Sequence, residues 1–480
     1  MKKLKKKEKD LYREWIERVE NLITRKRSLH LKYLRWYRLY RIQPLVNSDS
    51  MTVNVVFTNI QLVKALLYYL RPYFRVRPTT RVSDADRAQL QEEVLNIQWA
   101  RHGGHKNVKR VIVDGEITGV GWLRISHGTL EPLNFPPKPG SLTFKRVSPF
   151  DIYTELDNIS LEECTYFVER VRYPTRWLNK LFPKAEFQPD TLDFEATRRF
   201  GTTKHSPSKT TFYQIQDLIE GKLLLLSPQQ REVLLETELE FREPMYIPLV
   251  FAEDPERSEA ISETGIIEPQ QIELNNIRTQ QHIHRKRFNR RYIANKSLFE
   301  DEAELKKVER GEDGTIAFVN EVEGAIKPIE DAPLPTDLQV YQMDIKTDLR
   351  EMFGINEWLK AGVIPRTKTA YESSQISQGT QLRSHGRADE LNDFLIQAAR
   401  TTMSLLQHYE IVDRHYIQTE EGERLWTRED MLGDYEVEVE VGSTLPPNPI
   451  PYELLLRAGQ PGNVVGGSMT ENKFKQEGMM

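Results

Sequence analysis

Apolar positions along the chain recur with two periods, and the changes of period divide it into elements. Leu11, Trp15, Val19 and Leu22 fall at steps of three and four and predict a helix over 8–43, closed by Pro44. An apolar helical stretch follows over 53–70, and 73–78 alternates like a short strand that ends at a proline. Asp84 caps a predicted helix to about 101, and 106–118 forms another, which runs through Gly119-Val120-Gly121 into a strand ending near Ile125. Residues 147–153, 165–171, 211–216, 222–226 and 244–251 read as extended, with a polar surface loop over 187–209. The region up to Gly265 is therefore mixed α+β.

Beyond Gly265 the helical period dominates. Residues 266–296 contain one proline, Pro269, placed in the predicted first turn, where its missing N–H is harmless. Ile267, Leu274, Ile277, Phe288 and Tyr292 make a thin stripe, suited to a helix that crosses its neighbours at an angle. Residues 297–332 are charged and punctuated by glycine, with a strand expected at 317–319, and read as a small inserted α/β tip. A helix over 336–353 is stopped by Gly354. A loop through Pro365 then leads to Thr369, the expected cap of a helix reaching about 409. At roughly 40 residues that helix far exceeds the usual length of about 11 to 12. Gly379 and Gly386 inside it mark a kink or a close neighbour. Residues 435–441 read as a strand, followed after Pro451 by a short helix and a glycine-rich tail. The expected fold class is α+β, mainly helical.

Composition adds exposure and asymmetry. A chain of 480 residues exceeds one ordinary domain, and its hydrophobic share of 39% against 29% charged implies much surface for water or partners. The single cysteine, Cys164, excludes an internal disulfide and a cysteine-based zinc site. Six lysines precede residue 10 without an apolar segment behind them, and no run of 18 apolar residues occurs, so neither secretion nor a membrane is expected. The net charge of −4 conceals a basic first segment: residues 1–44 carry fifteen Lys or Arg against five acids, or +10, which leaves −14 for the remainder. In its second half Arg25, Lys26, Arg27, Lys32, Arg35, Arg38 and Arg41 alternate with Tyr33, Trp36, Tyr37 and Tyr40. Such a helix fits a phosphate backbone, an interfacial membrane helix, or a subunit interface in which the aromatics are core and the arginines meet acids.

Most catalytic signatures are missing. There is no G-x-x-x-x-G-K-[ST], and the single G-x-G, Gly119 to Gly121, precedes a strand, so nucleotide fingerprints fail. Neither a G-x-S-x-G elbow nor H-E-x-x-H nor paired C-x-x-C occurs. His102 with His105 could meet a metal, but Gly103-Gly104 separates them and Lys106 opposes a cation. His282 and His284 point apart on a helix. Asp114 with Glu116, or Asp337, Asp344 and Asp348, are the carboxylates a two-metal nuclease would need, with solvated helix charge as the plain alternative.

What remains is an order of elements, and in it the chain resembles the portal, or head-to-tail connector, family of tailed double-stranded DNA bacteriophages. The likeness covers about residues 50–450. It rests on the apolar helix before Arg77-Pro78, on Asp114-Gly115 through Gly119-Val120-Gly121-Trp122-Leu123, on Ser148-Pro149-Phe150-Asp151-Ile152, and on Pro248, Gly265, Gln271 and Asn275. Helix, small tip, helix, glycine break, basic loop and very long helix in succession carry most of it. The resemblance implies a wing over 45–265, a first stem helix over 266–296, a clip over 297–332 and a second stem helix over 333–355. A tunnel loop would follow over 356–368, a wing spine helix and strand over 369–450, and a short crown and tail over 451–480. The basic N-terminal helical arm, 1–44, departs from the family's general pattern.

By the same resemblance the chain would form a ring, usually of twelve copies, at one capsid vertex of the virion after synthesis in the host cytoplasm. It would nucleate head assembly, dock the large terminase subunit and conduct double-stranded DNA, without enzyme activity, cofactor, metal or membrane. Head-completion or adaptor proteins and major capsid and scaffolding proteins would be its other partners. Lys360, Arg366 and Lys368 in the tunnel loop are the expected DNA contacts, with intersubunit ion pairs as the alternative. Arg285, Lys286, Arg287, Arg290 and Arg291 are expected against DNA, terminase or a neighbour's acids. Arg25, Arg27, Arg35, Arg38 and Arg41 of the arm are candidates for DNA or assembly contacts. Rival expectations are a non-enzymatic DNA-binding protein that uses the arm, and a metal-dependent nuclease.

Overall fold

The computed structural model describes residues 2–41, 51–69, 71–79, 85–131, 133, 141–155, 160–190, 208–257, 259–288, 292–294, 306, 326–328, 337–353, 370–409, 415–419, 422–433 and 435–440. Helices α1 (Lys2–Arg25), α2 (Arg27–Tyr40) and α3 (Val55–Leu67) precede strand β1 (Phe74–Pro78), and α4 (Ala85–Arg101) and α5 (Gly104–Thr118) follow it. Strands β2 (Val120–His127), β3 (Leu142–Val147), β4 (Ile152–Thr154) and β5 (Tyr166–Pro174) lead to the short α6 (Thr175–Leu181). Next come β6 (Lys209–Asp217), β7 (Lys222–Ser227), β8 (Glu232–Glu238) and β9 (Tyr246–Val250). The remaining elements are α7 (Glu263–Phe288), β10 (Tyr292–Ala294), β11 (Ile326–Pro328), α8 (Asp337–Phe353), α9 (Ala370–Tyr409), β12 (His415–Thr419), β13 (Gly422–Trp426) and β14 (Tyr435–Val439). Among the described residues the fold is mixed α+β with helix predominating.

Two antiparallel sheets form the body, one in the order β3-β2-β9 and the other in the order β4-β5-β6-β7-β8. Strand β2 is buried at all eight positions. Helix α5 lies so close to it that a Cβ on Gly121 would sit 2.2 Å from the Val111 carbonyl oxygen. Gly119, at φ +87°, ends α5 in the left-handed region, so the glycine pair of the sequence is a helix stop and a packing contact. Strand β1 pairs with β14, Phe74 opposite Val439, which ties the early chain to its far end.

The arm is part of this body, and the single helix expected over 8–43 is two. The helix is interrupted at Lys26, whose ψ is −3°, although backbone bonds still run from Lys26 N to Leu22 O and from His30 N to Lys26 O, both at 2.9 Å. Two separate apolar surfaces explain the break. Tyr12, Trp15, Val19 and Leu22 of α1 pack on Tyr153, Val168, Ile215, Leu224 and Leu226 of the five-stranded sheet. Leu29, Tyr33 and Tyr37 of α2 enter the main core with α3, α5 and β2 instead. Lys26 at the joint donates from Nζ to Thr154 Oγ1 at 3.3 Å, and burial draws its pKa down to about 8.

Helix α7 begins earlier than its stripe predicts. Ser262 Oγ accepts from Gly265 N at 2.9 Å and donates to the Ile117 carbonyl at 2.7 Å, capping the helix and fixing it to α5. Pro269 therefore stands in the second turn of α7, beyond the first turn expected for it. Gly265 is required by its neighbour, because a Cβ there would meet the Trp36 ring at 2.6 Å. Ile267, Leu274 and Ile277 are buried as their spacing predicts, whereas Tyr292, expected on the same helical stripe, lies in β10. Strand β8, with glutamates at 232, 236 and 238, was not expected; it forms the sheet edge beside β7. The Asp84 and Thr369 caps, the strand at 317–319, Gly354, the tunnel loop and the crown lie outside the described residues.

Candidate nucleic-acid interface

Helix α2 sorts its residues by chemistry. Tyr33 and Tyr37 are buried, Trp36 donates from Nε1 to Glu268 Oε2 at 3.0 Å, and the Tyr40 hydroxyl accepts from Gln61 at 2.6 Å. The Tyr37 hydroxyl donates to Asp114 at 2.5 Å, and Arg146 grips the same carboxylate. The aromatics are thus committed to the core and leave no ring on this helix free for stacking bases. Arg27, Lys32, Arg35 and Arg38 stay exposed on its outer side, as do Arg25 and Arg41 just beyond its two ends, with Leu31 among them at 59% exposure. Arg35 pairs with Glu268 at 2.5 Å, and the Arg41 guanidinium lies 5.1 Å from the Tyr37 ring centroid. On the arm, then, the rings are core, Arg35 meets an acid of the same chain, and Arg27, Lys32 and Arg38 face outward.

Helices α7 and α8 run side by side. Gln281 and Gln342 lie 3.2 Å apart at their amides, and Arg278 faces Lys346, so residue numbers run in opposite directions and the pair is antiparallel. Ile345 and Leu349 of α8 join Leu274 and Ile277 in the core. A cluster missed by the sequence reading lies on this pair. With the Gln342 amide oxygen turned to the cations, it accepts from Lys346 Nζ and Arg278 Nη2 at 3.0 Å each. Burial, then Arg278 and Arg350, lower the Lys346 pKa. The residues come from two helices about 70 positions apart, so no local pattern announces them. Of the basic group at the end of α7, Arg285 is exposed, the side chains of Lys286 and Arg287 lie outside the described residues, and so do Arg290 and Arg291. Lys360, Arg366 and Lys368 also lie outside them.

The carboxylates considered for a nuclease are separately engaged. Asp114 accepts from Tyr37 and Arg146, as above. Glu116 is fully buried at the junction of α5, α7 and α9, 4.0 Å from Arg387 Nε, and Arg387 bonds Glu263 more closely. Both Glu116 oxygens lack a hydrogen bond. Burial, only partly offset by Arg387 and reinforced by Glu263, pushes its carboxyl up to about 8. Asp337, Asp344 and Asp348 are exposed on α8. Among the described residues no group of three or more His, Cys, Asp or Glu could hold a metal ion. His102 and His105 are separated by the left-handed Gly103, at φ +79°. Among the same residues no helix is long and apolar enough to cross a membrane.

No family model matches the chain, and no curated protein matches its sequence.

Proposed function

We propose that this chain is the subunit of a bacteriophage portal, a non-enzymatic ring at one capsid vertex that docks a terminase motor and passes double-stranded DNA. One observation carries the reading: α7 and α8 form an antiparallel pair joined through the short β10–β11 ladder, and the 40-residue α9 is the next described element. The C-terminal half of α9 supplies Leu391, Phe394, Leu395, Ala398, Leu405 and Leu406 to the main core. A hairpin of helices anchored on an α+β body by a long spine is the layout a stem and wing require. Helix α8 supports a ring further, because Val340 and Met343 are 59% and 68% exposed on the side turned away from Ile345 and Leu349. Apolar surface of that kind is stable in water when a neighbouring copy covers it.

In this reading 297–332 is the clip, 356–368 the tunnel loop and 451–480 the crown, and Lys360, Arg366 and Lys368 touch the passing DNA. Twelve copies, capsid and scaffolding proteins, and adaptor proteins at the clip complete the assembly in the virion. Sparse cations on an otherwise acidic body touch phosphates without holding them, which suits a conduit. The exposed Arg27, Lys32 and Arg38 favour one second reading, a DNA-binding protein that works through its arm as a monomer or dimer. Negative-stain imaging separates the two: rings with a central hole are expected, and particles the size of one or two 56.2 kDa chains would overturn the portal.

A further inference from the structure

Tyr68, at the end of α3, is almost fully buried, and its hydroxyl meets His105 Nδ1 at 2.9 Å. Lys109, one turn beyond His105 on α5, holds Nζ 5.5 Å from the Tyr68 ring centroid. Lys64, one turn before Tyr68, is near enough to Lys109 that burial and then this like charge lower its pKa. Arg71 reaches the same place from the segment that leads to β1. Burial, then Arg71, then Lys109 bring His105 down to about 4. No acid contributes to either shift. Lys64 bonds only the neutral Gln61, and Arg71 and Lys109 make no ion pair among the described residues. Lys106 and Arg110 continue the exposed basic side of α5, and Arg101 stands exposed at the end of α4.

Like charges gathered without a counter-charge raise the free energy of the folded chain, and an anion bound among them removes that cost. The groups are a poor place for a metal cation for the same reason. Exposed cations continue beyond the half-buried Lys64 and His105, from Arg101 at the end of α4 through Lys106 and Lys109 to Arg110 on α5, a longer row than one phosphate ion engages. Small ligands by contrast favour concave sites that enclose them. We infer that Lys64, Arg71, His105 and Lys109, arranged around Tyr68, form a binding site for the phosphate backbone of double-stranded DNA. Lysine and imidazolium act as point charges on phosphate oxygens, Arg71 adds a fork, and the neutral His105 takes up a proton as the phosphate approaches. The Tyr68 ring is occupied by Lys109 and His105, so it contributes a rigid floor and no stacking. The choice of DNA as the polyanion rests on the portal reading; the anion site itself does not.

The test uses the full chain and a duplex of about 30 base pairs, with fluorescence anisotropy read across a salt series while light scattering records the assembly state. The combined variant Lys64→Gln, Arg71→Gln, Lys109→Gln is expected to lower the slope of log K against log salt by about 0.9 for each contact removed. Assembly should be unchanged: absence of rings from the unmutated chain would count against the portal reading, whereas rings lost only in the variant would make the cluster a subunit contact and overturn the site. Histidine hydrogen–deuterium exchange, read by mass spectrometry, gives the second measure. Saturating duplex should raise the His105 pKa by about one unit or more. An unchanged slope, or a His105 pKa that the duplex does not move, would overturn the site. Equal effects from inorganic pyrophosphate or polyglutamate at matched charge would overturn DNA as its occupant.

Discussion

The interior beside Arg124 and the surface beside Tyr68 both crowd charge, with opposite bookkeeping. Arg124 is buried between Glu131 and Glu169, at 2.6 and 2.5 Å, and Lys145 and the Tyr246 hydroxyl complete the contacts of Glu169 at 3.0 and 3.2 Å. Burial pushes the Glu169 carboxyl up, but Arg124 and Lys145 more than offset it and hold it below its usual range. Two bases match two acids there, and the cluster knits β2, β3, β5 and β9 together. Around Tyr68 three cations and a neutral histidine meet no acid among the described residues, and the shifts of Lys64 and His105 run toward the uncharged forms. A matched cluster belongs to the fold, whereas an unmatched one awaits something from outside. The Glu116, Glu263 and Arg387 triad lies between these cases, with two acids to one base.

The sharpest way to break the comparison is to unbalance the matched cluster. Arg124→Leu takes the buried guanidinium from Glu131 and leaves Glu169 with Lys145 as its one cation, and should cost about 3–5 kcal/mol, read as a lower urea midpoint. A loss below about 1 kcal/mol would mean that water reaches the site and that its balance is not structural. A smaller effect belongs to the triad. Glu116 holds its proton in the folded chain at pH values where the unfolded chain releases it, so stability is full below the ordinary carboxylate range and declines as pH rises toward about 8. Glu116→Gln should flatten that decline, by at most about 1.4 kcal/mol per pH unit, in urea unfolding compared at about pH 5 and about pH 8. The smallest effect has the opposite sign. Lys109→Gln relieves the crowding at Tyr68 and should raise stability by a few tenths of a kcal/mol at low salt, vanishing at high salt. Destabilisation would make Lys109 a structural residue. A depressed histidine favours the folded state above its usual value, so His105 should withdraw stability as pH falls from about 6.5 toward 4.

How much of this was legible in the sequence depended on how local the cause was. Spacing alone found the α1 face of Trp15, Val19 and Leu22 and the α7 stripe of Ile267, Leu274 and Ile277, because helical period and burial are the same fact. It missed the interruption at Lys26, since backbone bonds continue on both sides and only the two separate docking surfaces tell the helices apart. It missed β8, whose glutamates suit an edge strand and not a buried one. It took Gly265 as a point before the helix, when the Trp36 ring, more than 200 positions away, decides that residue. The candidate sites divide likewise. The basic run of α2 was visible as a run, and the structure added that its rings point inward. The Tyr68 and Lys346 clusters assemble from segments far apart in the chain, so their gathering of like charge exists only in the fold.

The central claim is that copies of this chain close into a ring around a DNA channel. Native mass measurement of the purified full chain, taken with negative-stain images of the same sample, tests it most directly. The account predicts closed rings with a central hole and a mass near twelve times 56.2 kDa. A monodisperse species of one or two chains, at the concentrations where α8 would bury Val340 and Met343 against a neighbour, would contradict it.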